Sequence, residues 1–482
     1  MPDPQPPDGV TLADGQSASA IIYGVLAEGA DAFPDALAPA ALVANARAFR
    51  DDYTEALPRF EAARVASTQR HLIARHLAAA TQRRIVWKYL GGERSLDDVL
   101  AERATPLTLE ARELPGEPGW RPSPVYRGVR WDSHELADLG AELVSRRVMT
   151  PAAGDALAWV AENVLDAGEL RLTGRKIAVL GGGAEMAPTR FWLEAGADVL
   201  WLDLVPPPGN WLDDERLAGR LYWPREKVDL LTQPREVLAT ILAFSAGDPV
   251  DLGLYAYAPG HTRELRLTGV MNAIVNALPP ELVASVTMLV SPTTPTALDK
   301  RDRAAMRARR EERPLWEAGI ARLGLLGMGE GCATVGDAAA TRTVVSIQGA
   351  SYQAAQYLGK VLMAECWATH GPPAADKSSP LRVSANTAAI TRTRSLDHPL
   401  FVAAFSGASA FGVETFTPRQ SRIINGLLAL RDWMHREPPE PGVIRVHGGI
   451  HTLPYPLEPA LRIASVFGFA RSPKLLRSLV RR

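Results

Sequence analysis

The chain predicts an α/β protein, a doubly wound parallel sheet of about seven strands behind a mainly helical N-terminal region. Three observations carry that expectation. Arg175 to Asp203, RKIAVLGGGAEMAPTRFWLEAGADVLWLD, reads as strand, glycine turn, helix and second strand ending in an acid. From Leu172 onward, short apolar runs alternate with helix-period stretches, the pattern of a parallel sheet with crossover helices. Before about Ala167 the pattern is helix-period almost throughout, so the two regions divide near residue 170.

Taken in order, residues 1–20 are proline-rich and acidic at their start and read as a loose tail. They have neither the basic start nor the apolar run of a signal peptide. The helical region spans 21–170. In it, ALVANARAFRDDYTEALPRFEAARVASTQRHLIARHLAAATQRRIVWKYL spaces apolar residues by three and four and suits two amphipathic helices. A proline-rich connection runs from Pro106 to Pro124, Asp132 to Glu135 fits a capping box, and Thr150-Pro151 marks a helix start. The α/β region spans 171–482. Its expected strands are Lys176 to Leu180, Val199 to Leu202, Leu252 to Tyr257, Val286 to Val290, Thr343 to Ile347, Leu381 to Ala385 and Val443 to Val446.

Composition narrows the partners. With 53 Lys+Arg against 54 Asp+Glu the net charge is -1, so no global field draws nucleic acid or an anionic membrane. Cys332 and Cys366 are the only cysteines, which excludes a disulfide framework and a four-cysteine metal site. His71 and His76 stand five apart, wrong for one helical face, and no metal site is expected. No apolar run is long enough to span a bilayer. A cytoplasmic protein acting on a small molecule is the expectation.

The glycine turn suggests what that small molecule needs. Gly181, Gly182 and Gly183 allow a tight turn and close approach of backbone to a pyrophosphate at the next helix N-terminus. Met186 takes the place of a third glycine. Asp203 ends the second strand 22 residues after Gly181, where a carboxylate would meet the adenosine ribose. A carboxylate there favours NAD(H) over NADP(H), because it repels a 2′-phosphate.

Further segments, in order, resemble the short-chain dehydrogenase/reductase family over roughly residues 172–450. VDLLTQPREVLATILAFSAGDPVDLGLYAYAPG is similar to its third strand end, following helix and fourth strand, and RLTGVMNAIVNALPP to its long fourth helix. VTMLVSPTTP resembles the fifth strand, GASYQAAQYLGK the active-site helix, LRVSANTAAITRT the sixth strand with its nicotinamide loop, and GVIRVHGG the seventh strand. The resemblance implies a Rossmann-type domain with Ser291 and Tyr352 as catalytic pair, Asp229 at the adenine and Thr393 at the carboxamide. It also implies homo-oligomers, which this family commonly forms, and a mobile lid at LFVAAFSGASAFG, Leu400 to Gly412.

Departures from the family pattern are specific. Gln356 stands where the family has its lysine, four residues after the tyrosine, and Arg266 stands where it has a helix asparagine. Lys360 follows Tyr352 by eight residues, roughly 12 Å along a straight helix. About fifty residues, 298–349, separate serine from tyrosine. Without a nearby cation a phenol stays neutral at pH 7, which suits proton donation in a reduction better than alcohol oxidation. The enoyl-thioester reductases, relatives with a longer tyrosine-to-lysine spacing, are similar in this respect. Tyr357, three residues before Lys360, is a second tyrosine candidate.

The expected function is reduction of a carbonyl or conjugated carbon–carbon double bond in an apolar or acyl substrate, with Gln356 or Lys360 as ribose contact. The alternatives are a non-catalytic dinucleotide-binding sensor or scaffold, and a non-redox epimerase or lyase that retains its cofactor. The run DKRDRAAMRARREER, Asp299 to Arg313, reads as a solvated helix, with an acidic carrier protein or phosphate group as the other reading. The basic amphipathic C-terminal RIASVFGFARSPKLLRSLVRR either packs on the domain or lies on an anionic membrane surface. Cys332 reads as an inert buried thiol, and His447 and His451 as loop residues near the pocket.

Overall fold

The computed structural model describes residues 8–258, 260, 262–373, 379–394, 399–435, 446, 448–472 and 474. The N-terminal region holds β1 (Gly9–Leu12), α1 (Ala18–Ala32), α2 (Pro34–Leu37), α3 (Ala46–Ala66), α4 (Arg70–Gln82), β2 (Ile85–Tyr89), β3 (Gly92–Ser95) and α5 (Leu96–Leu100). Then come β4 (Leu109–Glu113), a hairpin of β5 (Val125–Tyr126) and β6 (Val129–Arg130), α6 (Leu136–Ser145) and α7 (Pro151–Asn163). Local chemistry starts the helices: Asn45 accepts the N–H groups of Arg47 and Ala48, and Thr150 caps α7 with Pro151 at its first position. The Asp132 to Glu135 capping box forms, on a short 3₁₀ turn ahead of α6.

The main sheet follows with β7 (Lys176–Leu180), α8 (Thr189–Glu194), β8 (Asp198–Leu202), β9 (Arg220–Pro224), α9 (Pro234–Ser245), β10 (Val250–Leu254), α10 (Arg263–Ala277) and β11 (Val283–Val290). An insertion carries α11 (Lys300–Glu311), α12 (Leu315–Arg322) and the hairpin β12 (Cys332–Val335) and β13 (Ala338–Thr341). One long helix comes next, in which α13 (Gly349–Gln353) and α14 (Met363–His370) flank a π-helical segment, Ala354–Leu362. β14 (Val383–Thr387), α15 (Pro399–Ala408), α16 (Pro418–Met434) and α17 (Leu457–Arg471) complete the described elements.

The seven-stranded sheet has the order β14-β11-β10-β7-β8-β9-β4, parallel except for β4, which pairs antiparallel with β9. Starting at β7, the chain winds outward through β8 and β9, returns to the middle and winds the other way through β10, β11 and β14. This is a doubly wound, Rossmann-like α/β arrangement whose direction reverses between β7 and β10. Alternate residues of each strand feed opposite cores. Ala178, Leu180, Leu200 and Leu202 enter one, and Ile177, Val179, Val199 and Trp201 the other.

Several expectations need correction. Thr343 to Ile347 is not a strand but an extended connection ending in a single 3₁₀ turn, Ser346–Gln348. The third strand is Arg220–Pro224, upstream of the segment read as its end, and the seventh strand of the described sheet is β4, inside the proline-rich connection. Of the stretch Val443 to Val446, residues 443–445 lie outside the described residues, and Val446 bridges Met149. Gly9–Leu12, in the expected tail, is a fully buried strand paired with β2, because Val10 and Leu12 join the same core as α1, α3, α4 and the sheet. The N-terminal helices thus share a continuous core with the sheet and pack on the long helix of residues 349–370.

Candidate active site

Strand order decides where a ligand fits. In open α/β sheets the crevice lies beyond the carboxyl ends of the strands at the point of reversal. Here a cavity of about 1250 Å³ opens there, lined by residues that leave β7, β10, β11 and β14. Pockets for one small molecule usually measure about 300–1,000 Å³, so there is room for a second ligand.

Tyr352, Ser291, Gln356 and Lys360 all line this cavity. Ser291 follows the last residue of β11, and its N–H donates to Gln356 Oε1 at 2.9 Å. Its hydroxyl shares a 2.7 Å hydrogen bond with Thr293 Oγ1, which donates to Gln348 Oε1 at 2.6 Å. The half-buried Tyr352 phenol lies beside Ser291 in the cavity lining. Burial pushes the Tyr352 pKa well above the usual range, further raised by Glu264 and Tyr257 and only partly pulled back by Ser291. The phenol therefore stays protonated at physiological pH.

Lys360 reaches the same cavity because of the π segment. In an α-helix a residue eight positions on sits roughly 80° around from the first. The wider π turns of Ala354–Leu362 bring it back toward the face of Tyr352, and such turns recur at functional sites. Lys360 Nζ donates to the Leu289 carbonyl at 3.0 Å and lies 3.9 Å from Glu264 Oε1. Burial lowers the Lys360 pKa against the pull of Glu264. The same turns send Tyr357 away from the site. It is fully buried and donates to Glu61 Oε2 at 2.7 Å, which removes it as the second tyrosine candidate.

Glu264, not foreseen from the sequence, completes the polar floor. It sits in the first turn of α10, only 2 % exposed, and accepts the Ala258 N–H at 3.0 Å and Gln356 Nε2 at 3.4 Å. Burial raises its pKa, countered by Lys360 and the Ala258 N–H. A glutamate two residues from the anticipated asparagine position carries no pattern of its own. Arg266, at that position, turns the other way and donates to the Val10 carbonyl at 2.6 Å.

The glycine turn lies at the reversal point, beside this cavity rather than in its wall. Gly181 has φ +89°, and a Cβ there would overlap the backbone of Ala256, so the turn fixes how closely β7 meets the loop after β10. Gly181→Ala is expected to cost roughly 1–3 kcal/mol through strain, read as a lower urea midpoint. Gly183 N–H donates to Asp203 Oδ2 at 2.9 Å, and Val205 N–H to Oδ1 at 3.3 Å. Asp229 accepts the Leu231 N–H at 2.9 Å, and its loop adjoins Asp203 through Val228 N–H to the Asp203 carbonyl at 3.3 Å.

Of the expected cofactor residues, Met186 and Thr393 line the cavity, whereas Gly181, Gly182, Gly183, Asp203 and Asp229 lie outside its wall. One feature differs from the expected unit. Residues 184–188 intervene before α8, a helix of six residues, and Glu185 accepts the Arg394 N–H at 3.0 Å. Opposite the polar floor, the cavity is apolar, walled by Phe401, Phe405 and Ala404 of α15 and Leu457, Ala460 and Ala464 of α17. The two helices touch closely, since a Cβ on Gly407 would overlap the Ala464 carbonyl.

The remaining candidates are structural. Cys332 and Cys366 are buried, and burial pushes the Cys366 thiol up to about 12. His71 pairs with Glu365 at 2.9 Å, and His451 is buried 3.4 Å from Asp302, while His447 lies outside the described residues. Among the described residues no cluster of three or more His, Cys, Asp or Glu could hold a metal, and no helix is long and apolar enough to cross a membrane. No protein-family model matches the chain, and no curated protein matches it.

Proposed function

We propose that the protein is an NAD(P)H-dependent reductase of short-chain dehydrogenase/reductase type, acting on a carbonyl or conjugated carbon–carbon double bond of an apolar or acyl substrate. The observation that carries this reading is the Tyr352–Ser291 pair beyond β11, facing a cavity with an apolar far wall. A reduced nicotinamide bound beside it would supply hydride. Tyr352, kept protonated by burial, would donate its hydrogen bond or proton to the substrate oxygen, with Ser291 as its partner. Gln356 fixes the Ser291 backbone, and Lys360 and Glu264 stand 3.9 Å apart as a buried pair lining the same cavity. The apolar wall would orient the rest of the substrate and exclude water.

Fluorescence titration with NADH and NADPH tests the cofactor assignment. NADH should bind more tightly, and Asp203→Ala should weaken NADH roughly 10–100-fold, the cost of hydrogen bonds to a charged group. Absence of binding to either nucleotide would sink the reading. Gln356 in place of the family's lysine and Arg266 in place of its helix asparagine favour a second reading, a dinucleotide-binding protein that does not consume its cofactor. Stoichiometric loss of NADH absorbance with an enal or ketone separates the two.

A further inference from the structure

Away from the cavity, six large apolar side chains stand in solvent on neighbouring elements. Leu315 is 91 % exposed, Met328 82 %, Leu323 75 %, Val466 64 %, Leu325 52 % and Trp316 37 %. Scattered exposed apolar residues are ordinary, but a cluster of this kind marks an interaction surface. The elements are joined. Trp316 of α12 packs edge-on against Phe411 and Phe467 at 5.6 and 5.1 Å between ring centres, and Gly327 lies against Pro456 and Pro459 at the start of α17.

The loop after α12 holds these side chains outward on a fixed backbone. Leu326 is fully buried, and Arg342 donates to the carbonyls of Met328 and Glu330 at 3.0 Å each. Around the patch the exposed charge is mainly positive. Between Lys300 and Arg322 the chain has eight basic residues against four acids; Glu317 is buried and Glu312 paired with Arg147, while Arg309 turns inward onto the Phe411 and Gly449 carbonyls and Arg310 pairs with Glu330. Arg307 and Arg322, in this stretch, are exposed, as are Arg471 and Lys474 at the end of α17. Behind the patch, Phe411 touches Trp316 on one side and lines the cavity's apolar wall on the other.

We propose that this face, residues 315–328 with Val466, docks on the surface of an anionic lipid bilayer. The leucines and Met328 would enter the interfacial layer and the arginines meet the headgroups, the combination that binds peripheral proteins to such surfaces. The apolar wall behind Phe411 then faces the membrane side. An acidic protein would be met by the arginines but would leave the leucines without partners.

Co-sedimentation of the full chain with vesicles tests this, using phosphatidylcholine alone and phosphatidylcholine mixed with phosphatidylglycerol, at low and high salt. The expected result is binding to the mixed vesicles that weakens with salt. It should fall by about tenfold or more in Leu323→Glu/Met328→Glu and stay unchanged in Leu90→Glu, a control 94 % exposed on the β2–β3 turn. No binding to either vesicle, or binding that the double variant leaves intact, overturns the proposal. A wild-type dimer that the double variant converts to monomer also overturns it, assigning the face to a second copy of the chain. No cofactor or substrate is needed, so the result stands apart from the reductase reading.

Discussion

Tyr352→Phe should lower reductive turnover by roughly 10²–10⁴-fold while leaving NADH affinity unchanged. The ring remains to fill its half-buried place beside Ser291, so the change removes only the hydroxyl to which the proposed function assigns proton donation. A pH profile sharpens the test. The ordinary tyrosine pKa is 10.0, and burial holds this one higher, so the donor stays protonated as pH rises past 9 and the wild-type rate in the reductive direction should not fall there for want of it. An alcohol oxidation that needs the phenolate should be weak over the same range. Full activity in the Tyr352→Phe variant would make Tyr352 a packed aromatic, and the second reading, binding without cofactor consumption, would take its place.

How much of this is legible in the sequence follows from burial. β7, β8, β10 and β11 are largely buried on both faces and read as short, mainly apolar runs, which is why each is expected within a few residues of its place, whereas β14, VSANT, is as buried but carries Ser384, Asn386 and Thr387, and its expected range sits two residues early. β4, LEARE, lies at the sheet edge with four of its five residues exposed and shows no apolar pattern. β9 next to it, RLYWP, is only partly buried and escapes notice for the same reason. The β-branched run TVVSI misleads in the opposite sense, since Val344 and Val345 are buried by neighbouring cores without a strand partner in the main sheet. Tyr352, Ser291, Gln356 and Lys360 are named through the resemblance to the short-chain dehydrogenase/reductase family, and all four line one cavity. That Lys360 shares a cavity with Tyr352 depends on π turns, which leave no periodicity to read, and Glu264 enters only through the tertiary packing of α10 on the long helix.

The same packing sets the largest expected stability effect. Arg64 of α3 is fully buried, and its guanidinium bonds Glu61 at 2.8 Å through Nε and Nη2 and Glu365 of α14 at 2.9 and 3.0 Å. Glu365 also meets Arg70 at 3.2 Å and His71 at 2.9 Å, and Tyr357 of the π segment closes the cluster on Glu61. Arg64→Met fills most of the volume but leaves two buried carboxylates short of their cation, and should cost about 3–5 kcal/mol, measured by urea denaturation at pH 7. The pH dependence identifies the cause. In the wild type, burial alone would raise Glu365, but Arg64, His71 and Arg70 outweigh it and hold its pKa below the ordinary 4.5. A carboxylate with a depressed folded-state pKa adds stability that is complete above its unfolded value and is lost as pH falls below it. Arg64→Met removes most of that depression, so the variant has less to lose in acid, and the two stability curves should converge below about pH 4.5. Curves that stay parallel into acid would mean that the deficit is one of packing, and that this cluster fixes the π segment by shape rather than by charge.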